Sequence, residues 1–336
     1  MSNQFFRAGN RALEVNPPNA DINLGRWGSD WGWVVFCVMA ASTVGLLIWS
    51  SRLPRGRRTF PYLLAAVLAI STISWYSQAS DLGATPIPVQ FLHNSALAPD
   101  GGYPTRQIWY SRYIDWALTV PLLLLSLLLI TGLPLSVIFI TLFFSILMII
   151  CGLLGALTRT RYKWGYFAFG CAALGYVLYH VFASGLRSAR RLDHGFGRAF
   201  LAGATLLGVV WPLYALCWAL THGGNVIGVS AEFLWFGILD LISKPVFAFV
   251  LLSMLRNCDY GALRLRSGKV TEGKIDDHEQ RRGILDKSQE GIGSSPVHHA
   301  GGNSADSGPA PPPPAVTTPP SAAAHTMMSP PAVPPV

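Results

Sequence analysis

An acidic and a basic residue, Asp240 and Lys244, lie four positions apart inside an otherwise apolar run, WFGILDLISKPVFAF. In a helix this spacing places the two side chains one turn apart on the same face. A charged side chain at the centre of a membrane costs about 3 kcal/mol on insertion scales. A sequence that keeps two such residues there is expected to use them.

A second set of ionisable residues lies in an earlier apolar segment. Arg112, Asp115 and Thr119 share one helical face there. Because both segments run in the same direction, the carboxylates of Asp115 and Asp240 can lie at similar depth and converge on Lys244. The other ionisable residues inside apolar segments are His180 and Glu232.

Three kinds of chemistry explain a buried lysine between two carboxylates. A salt bridge that only fixes helix packing is the weakest explanation, because apolar replacements usually stabilise a protein equally well. A proton or ion site of a transporter is the second. The third is a Schiff base between the lysine amine and a carbonyl ligand, with the carboxylates as counter-ions. The charges alone leave these alternatives open.

Aromatic and small side chains occur in the same layer as these charges. Such a stripe is more often ordinary packing, but next to a buried lysine it suits a slot for a flat, conjugated, apolar ligand. The aromatic residues are Trp116, Tyr166, Phe167, Trp211, Tyr214 and Trp218, with Gly152 and Gly170 as small neighbours.

The chain has the composition of a membrane protein. Of its 336 residues, 51% are hydrophobic and 12% are charged, whereas about a quarter of a soluble domain is charged. Seven segments are long enough to cross a bilayer, which takes about 20 apolar residues. We predict an all-α bundle of seven transmembrane helices near 31–52, 60–81, 107–130, 134–157, 163–185, 199–221 and 230–254, separated by turn signals such as TGLP and SGLRSARR.

The distribution of arginine predicts the orientation in the membrane. The net charge of +8 does not indicate nucleic acid, because the excess lies in the N-terminal segment and the short loops. The loops after spans one and five carry more basic residues than the other face, which predicts that they lie in the cytosol. The N-terminus is then extracellular and the C-terminus cytoplasmic, and we expect the plasma membrane. No cleavable signal peptide is evident.

Three regions follow: an extracellular segment at 1–29, a seven-helix domain at 30–256 and a cytoplasmic tail at 257–336. Gly and Pro punctuation between spans two and three predicts a small extracellular hairpin. The tail is charged and then rich in Pro and Ala, which is typical of disorder. A cytosolic partner for the tail and a homo-oligomer are left open.

The five scattered cysteines predict neither a disulfide framework nor a metal site, and Cys258 could carry a palmitoyl group.

Several motifs are similar to those of a known family. RYIDWALTVPLLLL (112–125) and LDLISKPVFAF (239–249) resemble the third and seventh helices of the microbial rhodopsins. YPTRQIWYSRYIDW and GGNVIGVSAEFLWFGILDLISKPVF resemble the fungal branch most. The resemblance covers residues 30–256 and does not extend to the tail.

The resemblance implies that Lys244 binds all-trans retinal as a protonated Schiff base. Asp115 then matches the primary counter-ion and proton acceptor, and Asp240 matches the second counter-ion. Arg112 matches an arginine that moves toward the extracellular side when the acceptor is protonated. Thr119 matches a threonine that hydrogen-bonds the acceptor.

The resemblance also implies an exit path and the walls of a retinal pocket. Glu232 matches one member of an extracellular proton-release pair, whose usual second acid is absent between His222 and Asn225. Ser243, beside Lys244, brings a hydroxyl near the Schiff base and could tune its absorption. The residues that match pocket walls are Trp116, Leu123, Met148, Gly152, Phe167, Trp211, Tyr214 and Trp218, with Gly170 as a further small residue.

Three features depart from the pattern of the family. Eleven residues after Asp115, about 16 Å along a helix, Ser126 replaces the carboxylate that usually returns a proton to the Schiff base. Serine cannot serve as an acid at neutral pH. Ser145 replaces an aspartate of many relatives. The proline of span six is Pro212 instead of a proline at Ala215, so we expect a displaced kink.

These features predict a light-driven outward proton pump in which protons return to the Schiff base slowly, and faster at acid pH. A photosensor without net transport is the alternative, because slow cycling suits a sensor. A light-gated channel is disfavoured, since span two offers Ser74, Ser77 and Gln78 instead of an acidic lining. A seven-helix transporter without retinal is a remote alternative, and no feature predicts an enzyme.

Overall fold

The computed structural model describes residues 9–97 and 104–263, except the side chains of Ser95 and Ala262. Seven helices in these ranges are long and apolar enough to cross a membrane, which confirms the predicted fold. In chain order they are α1 (Arg26–Ser51), α2 (Thr59–Ala79), α3 (Tyr110–Leu128), α4 (Leu135–Leu157), α5 (Lys163–Leu192), α6 (His194–Gly223) and α7 (Val229–Leu255).

The seven helices form a closed ring. Each helix packs against the next one along the chain, and α7 returns to pack against α1. Large apolar side chains such as Phe139, Phe143 and Phe169 are exposed on the outside, whereas Arg112 and Glu232 are buried inside. This distribution suits a bilayer around the ring, because hydrocarbon offers no partner to a polar group.

A two-stranded antiparallel sheet covers one end of the ring, as predicted. Strand β1 (Thr85–Pro88) pairs with β2 (Thr105–Ile108), with Thr85 opposite Ile108. The hairpin connects the last turn of α2 to the first turn of α3. The end of the ring that carries it is called the hairpin end below, and the other end is called the opposite end.

The segment before α1 packs on the hairpin. A short helix spans Ala12–Val15, and Ile22 forms an isolated bridge with Arg106 of β2. Leu24 is buried. Because α1 begins at Arg26, the predicted boundary between residues 29 and 30 falls inside a helix.

The connection between α5 and α6 differs from the prediction. SGLRSARR was expected to form a turn, but α5 continues through it to Leu192, since Ala, Leu and Arg are strong helix formers. Asp193 alone separates the two helices, and its side chain accepts a hydrogen bond from the Gly195 N–H at 2.7 Å. The TGLP turn between α3 and α4 is as tight as predicted, with Gly132 at a φ of +69°.

The described chain continues past α7 and packs at the opposite end. The rings of Tyr260 and Phe60 lie with centroids 5.7 Å apart, and the Arg57 guanidinium lies 5.1 Å from the Tyr260 centroid. Cys258 is buried, and burial raises the pKa of its thiol. The rest of the predicted tail lies outside the described residues.

Candidate functional site

The structure brings Lys244 into contact with both carboxylates expected near it. The Nζ atom of Lys244 lies 2.6 Å from Asp115 Oδ2 and 3.0 Å from Asp240 Oδ2. Asp115 comes from α3, and the other two residues come from α7. All three side chains are almost fully buried, with 1% exposure. A single lysine therefore neutralises part of a pair of buried acids.

The second oxygen of each carboxylate is also paired. The Ser71 hydroxyl donates to Asp115 Oδ1 at 2.8 Å. The Trp75 indole donates to Asp240 Oδ2 at 2.8 Å, and the Tyr214 hydroxyl donates to Asp240 Oδ1. Ser71 and Trp75, both on α2, were not foreseen from the sequence. These hydrogen bonds fix the two acids in place around the lysine.

Thr119 contacts Asp115 in a different way from that expected. Its hydroxyl donates to the main-chain carbonyl of Asp115 at 2.8 Å, as is common for threonine one turn further along a helix. The hydroxyl that reaches the carboxylate belongs to Ser71.

The backbone of α7 widens around the lysine. Residues Ile242–Val246 form a π-helical turn that contains Lys244 and Pro245. Proline lacks the N–H that a regular helix needs, and π-helical turns are frequent at functional sites. In this turn the Ser243 hydroxyl lies 3.0 Å from the Tyr214 hydroxyl.

An apolar cavity extends from Lys244 between α3, α4, α5 and α6. It is lined by the residues expected as pocket walls: Trp116, Leu123, Met148, Gly152, Phe167, Gly170, Trp211, Tyr214, Trp218, Ser243 and Lys244. Six further lining residues were not foreseen: Tyr113, Val120, Ile149, Cys171, Leu174 and Ala215.

Flat aromatic groups shape the cavity. The rings of Phe167 and Trp218 stack with centroids 5.1 Å apart and planes at 15°. The Trp218 indole donates to the main-chain carbonyl of Gly152 at 3.0 Å. A Cβ atom at Gly152 would lie 3.4 Å from the ring of Tyr113, so glycine leaves room for a planar ligand.

A second buried cluster lies between the cavity and the hairpin. Glu232, which is fully buried, is bonded through Oε1 to Arg112 at 2.5 Å and through Oε2 to Arg106 at 2.6 Å. Arg112 also donates to Gln78 at 3.0 Å. The hydrogen bonds of the Arg112 guanidinium thus go to Glu232 and Gln78 and not to Asp115.

The strand β2 and the end of α6 complete this cluster with residues that sequence reasoning missed. Arg106 of β2 also donates to the Ile227 carbonyl at 2.9 Å. His222 places Nε2 3.3 Å from Glu232 Oε1. A buried glutamate requires a nearby positive charge, so the position of Glu232 was a signal that a basic residue had to lie close to it.

The half of the bundle on the other side of Lys244 is apolar. Ser126 is buried there, and its hydroxyl donates to the Leu123 carbonyl at 2.7 Å. Ser145 on α4 likewise donates to the Leu142 carbonyl at 2.7 Å. Around Pro212, α6 stays helical. Within the described stretch of α3 from Asp115 to its end at Leu128, no further ionisable residue occurs.

Comparison with known proteins identifies the family. Residues 28–258 match the family of bacteriorhodopsin-like proteins. The chain is 45% identical to protein FDD123 of Trametes versicolor, over 79% of this chain and 90% of that protein. It is 42% identical to opsin-like protein carO of Fusarium fujikuroi, over 81% and 89% of the two chains.

Solved structures agree with this assignment. The light-driven proton pump Coccomyxa subellipsoidea rhodopsin CsR is 33% identical, with a TM-score of 0.64 over 69% of this chain and 98% of that chain. The chain therefore belongs to the bacteriorhodopsin-like family and lies in the fungal branch of the microbial rhodopsins. Proteins of this family are light-driven pumps or photoreceptors, and membership implies a retinal chromophore.

The residues of the cavity fit that chromophore. The walls are apolar and aromatic, as a conjugated polyene requires, and Lys244 supplies an amine at one end. The two acids on Lys244 supply the negative charge that a cation at this nitrogen needs.

Proposed function

We propose that this rhodopsin is a light-driven outward proton pump in which the return of a proton to Lys244 Nζ is slow. The observation that carries the proposal is the 2.6 Å contact between Lys244 Nζ and Asp115 Oδ2 at the end of the cavity. This distance is within the range over which a proton moves directly between two groups.

Lys244 would hold all-trans retinal as a Schiff base, and the bound retinal would supply a light-driven isomerisation that changes the environment of the Nζ proton. Asp115 Oδ2 is then placed to accept that proton. The Asp240 carboxylate accepts hydrogen bonds from the hydroxyl of Tyr214 and the indole of Trp75.

The exit path is proposed to run toward the hairpin end. Arg112 and Glu232 lie on that side of Asp115 and are joined by a 2.5 Å ion pair. A proton that reaches Asp115 removes one negative charge near Arg112. The electrostatic potential at the exit cluster then becomes more positive, which favours release of a proton from this cluster. The excess of arginine at the opposite end supports an extracellular hairpin and a cytosolic opposite end.

The return path has no acid to assist it in the described part of α3. The Ser126 hydroxyl is occupied by the Leu123 carbonyl, and serine does not ionise at neutral pH. Protons must therefore reach Lys244 through water from the opposite end. This same feature favours the second candidate function, a photosensor that cycles without net transport.

Light-induced acidification separates the two functions. Cells or vesicles that contain the protein with retinal are illuminated while the external pH is recorded, with and without a protonophore. We expect acidification that the protonophore abolishes and a visible absorption band that Lys244→Ala removes. A complete photocycle without any pH change would establish the sensor, and a band unchanged in Lys244→Ala would overturn both.

A further inference from the structure

His222 occupies the place between Glu232 and the cavity, and the proposed pump leaves it without a role. It lies in a π-helical turn, Ala219–Gly223, that ends α6 at the hairpin end. Its side chain is fully buried. Its Nδ1 lies 3.0 Å from the hydroxyl of Tyr113, a residue that also lines the cavity. His222 therefore connects the cavity wall to the buried glutamate.

The groups around the imidazole come from five elements. The Nζ atom of Lys163 donates to the main-chain carbonyl of His222 at 2.8 Å, so it fixes the backbone and not the ring. The titratable and charged neighbours are Glu232 on α7, Arg106 on β2, Arg112 and Tyr113 on α3, Lys163 on α5 and Cys217 on α6.

Glu232 is a poor carrier for a proton in this arrangement. Each of its oxygens accepts a charge-assisted hydrogen bond from an arginine, at 2.5 and 2.6 Å. Protonation would break two buried ion pairs, and an uncompensated buried charge is costly. The arginines cannot give up a proton at any physiological pH. Among the described groups of the cluster, the imidazole is the one with a ring nitrogen that can accept a proton and a second that can release one.

We propose that His222 carries the outbound proton between Asp115 and the medium at the hairpin end. The inference rests on the proposed pump. In the first step the O–H bond of protonated Asp115 breaks and an N–H bond forms at Nδ1 of the neutral imidazole, by way of the Tyr113 hydroxyl, which gives an imidazolium beside the Glu232 carboxylate. In the second step the N–H bond at Nε2 breaks and its proton enters the extracellular water, which leaves a neutral ring with its hydrogen on Nδ1. Exchange with water returns that hydrogen to Nε2 and restores the starting ring.

The geometry provides for both charge states of the ring. In the neutral ring, Nδ1 accepts from the Tyr113 hydroxyl and Nε2 carries the hydrogen, facing Glu232 at 3.3 Å without forming a hydrogen bond to any described residue. When the ring is protonated, the Tyr113 hydroxyl can rotate and accept instead of donate. Nε2 then gains a charge-assisted contact with Glu232. The proton is thus held by a contact that costs no rearrangement of the arginines.

The test uses the retinal-loaded full chain in vesicles with a pH indicator outside. Infrared bands follow the carboxyl group of Asp115, and histidine labelled with 15N identifies an imidazolium. With His222→Gln we expect protonation of Asp115 at the wild-type rate, but a loss of its proton and an appearance of protons outside that are at least tenfold slower. The transient imidazolium band should disappear.

His180→Gln is the matched control, because His180 lies about 25 Å along α5 from Lys163. This variant should leave the rate of proton release and the imidazolium band unchanged. Wild-type release timing in His222→Gln would overturn the proposal. If that variant fails to bind retinal, the absence of a transient 15N-histidine band in the wild-type protein would overturn it instead. Light-driven acidification without such a band would support the pump and contradict a role of His222 as proton carrier. The band without net acidification would contradict the pump and support protonation of His222 during the photocycle.

Discussion

Ser126 is the residue whose chemistry most limits the proposed cycle. It is buried in the apolar half of the bundle, and its hydroxyl donates to the helix backbone at 2.7 Å. A hydroxyl in this state does not supply a proton at neutral pH. The rate at which Lys244 Nζ regains a proton is therefore set by how often water enters this half.

Replacing Ser126→Asp should remove that limit. A carboxyl group eleven residues from Asp115 along α3 can hold a proton close to the return path, and a positioned acid contributes about 100-fold to a proton transfer. We expect the return of the proton to Nζ, followed by flash spectroscopy at neutral pH, to be faster by about that factor.

Ser126→Ala is the control for this change. It removes the hydroxyl without adding an acid, and we expect wild-type kinetics from it. Equal rates in Ser126→Asp and Ser126→Ala would show that access of protons to the apolar half does not limit the cycle.

At the scale of elements, the hairpin holds the site together from outside the ring. Gln107 of β2 donates to Asp81 Oδ1 at 2.5 Å and accepts from the Leu24 N–H at 2.9 Å. On the same strand, Arg106 reaches Glu232. One short strand thus links the end of α2, the segment before α1 and the exit cluster.

Asp81 gives this linkage a dependence on pH. Burial raises the pKa of Asp81, and the hydrogen bond from Gln107 opposes this in part. The folded state then binds the proton more tightly than the unfolded state, so the free energy of unfolding falls as pH rises from the ordinary aspartate range through the raised pKa. Asp81→Asn keeps an acceptor for Gln107 and tolerates the φ of +60°. It should raise Tm at pH 7 by roughly 1–3 °C, with no gain near pH 3.

Asp21→Asn is a control of opposite sign. Hydrogen bonds from the Thr105 N–H and hydroxyl lower the pKa of Asp21. Its ionised form therefore stabilises the fold above the ordinary aspartate range, and this contribution is lost as pH falls through the lowered pKa. Thermal unfolding in detergent should show Asp21→Asn to be less stable than the wild type at pH 7. A gain in both variants would mean that removal of charge, and not the local contacts, sets the effect.

The parts of the site that could be predicted are those fixed by helical spacing. Asp240 and Lys244 lie four residues apart, and Asp115 occurs in a helix of the same direction, so their meeting follows from the sequence. The contact of Arg106 with Glu232 spans 126 residues, and that of Ser71 with Asp115 spans 44. Such contacts depend on where the hairpin and α2 pack, which periodicity does not determine. The segment SGLRSARR is helical although its Gly and Ser are typical of turns, because its Leu, Ala and Arg favour a helix.

At the scale of the whole molecule, the two halves of the bundle differ in polarity. Between Lys244 and the hairpin end lie Glu232, Arg106, Arg112 and His222, all buried. Between Lys244 and the opposite end, the interior is built from apolar side chains such as Leu127, Phe247 and Leu251. In the proposed cycle, protons therefore leave Lys244 through a polar half and return through an apolar one.

This asymmetry predicts a one-sided response to pH. If the return of the proton is limited by entry from the opposite end, its rate should rise in proportion to the proton concentration on that side. Lowering the pH on the hairpin side alone should leave it unchanged. Flash spectroscopy on vesicles of defined orientation, with the inner and outer pH set separately, measures both. A return rate that is constant between pH 5 and 8 on both sides would contradict this account.

The position of Lys244 along α7 also determines what fraction of the membrane potential each proton transfer crosses. The first transfer joins atoms 2.6 Å apart, so it crosses almost none of the electric field. The return must cover the eleven residues from Lys244 to Leu255, about 16 Å, or roughly half of the hydrocarbon thickness. Moving one charge over half of a 100 mV potential costs about 1 kcal/mol. In the proposed cycle, a membrane potential that is negative inside therefore slows the return of a proton to Lys244 and hardly affects the transfer from Lys244 to Asp115, so the potential sets how fast the cycle runs.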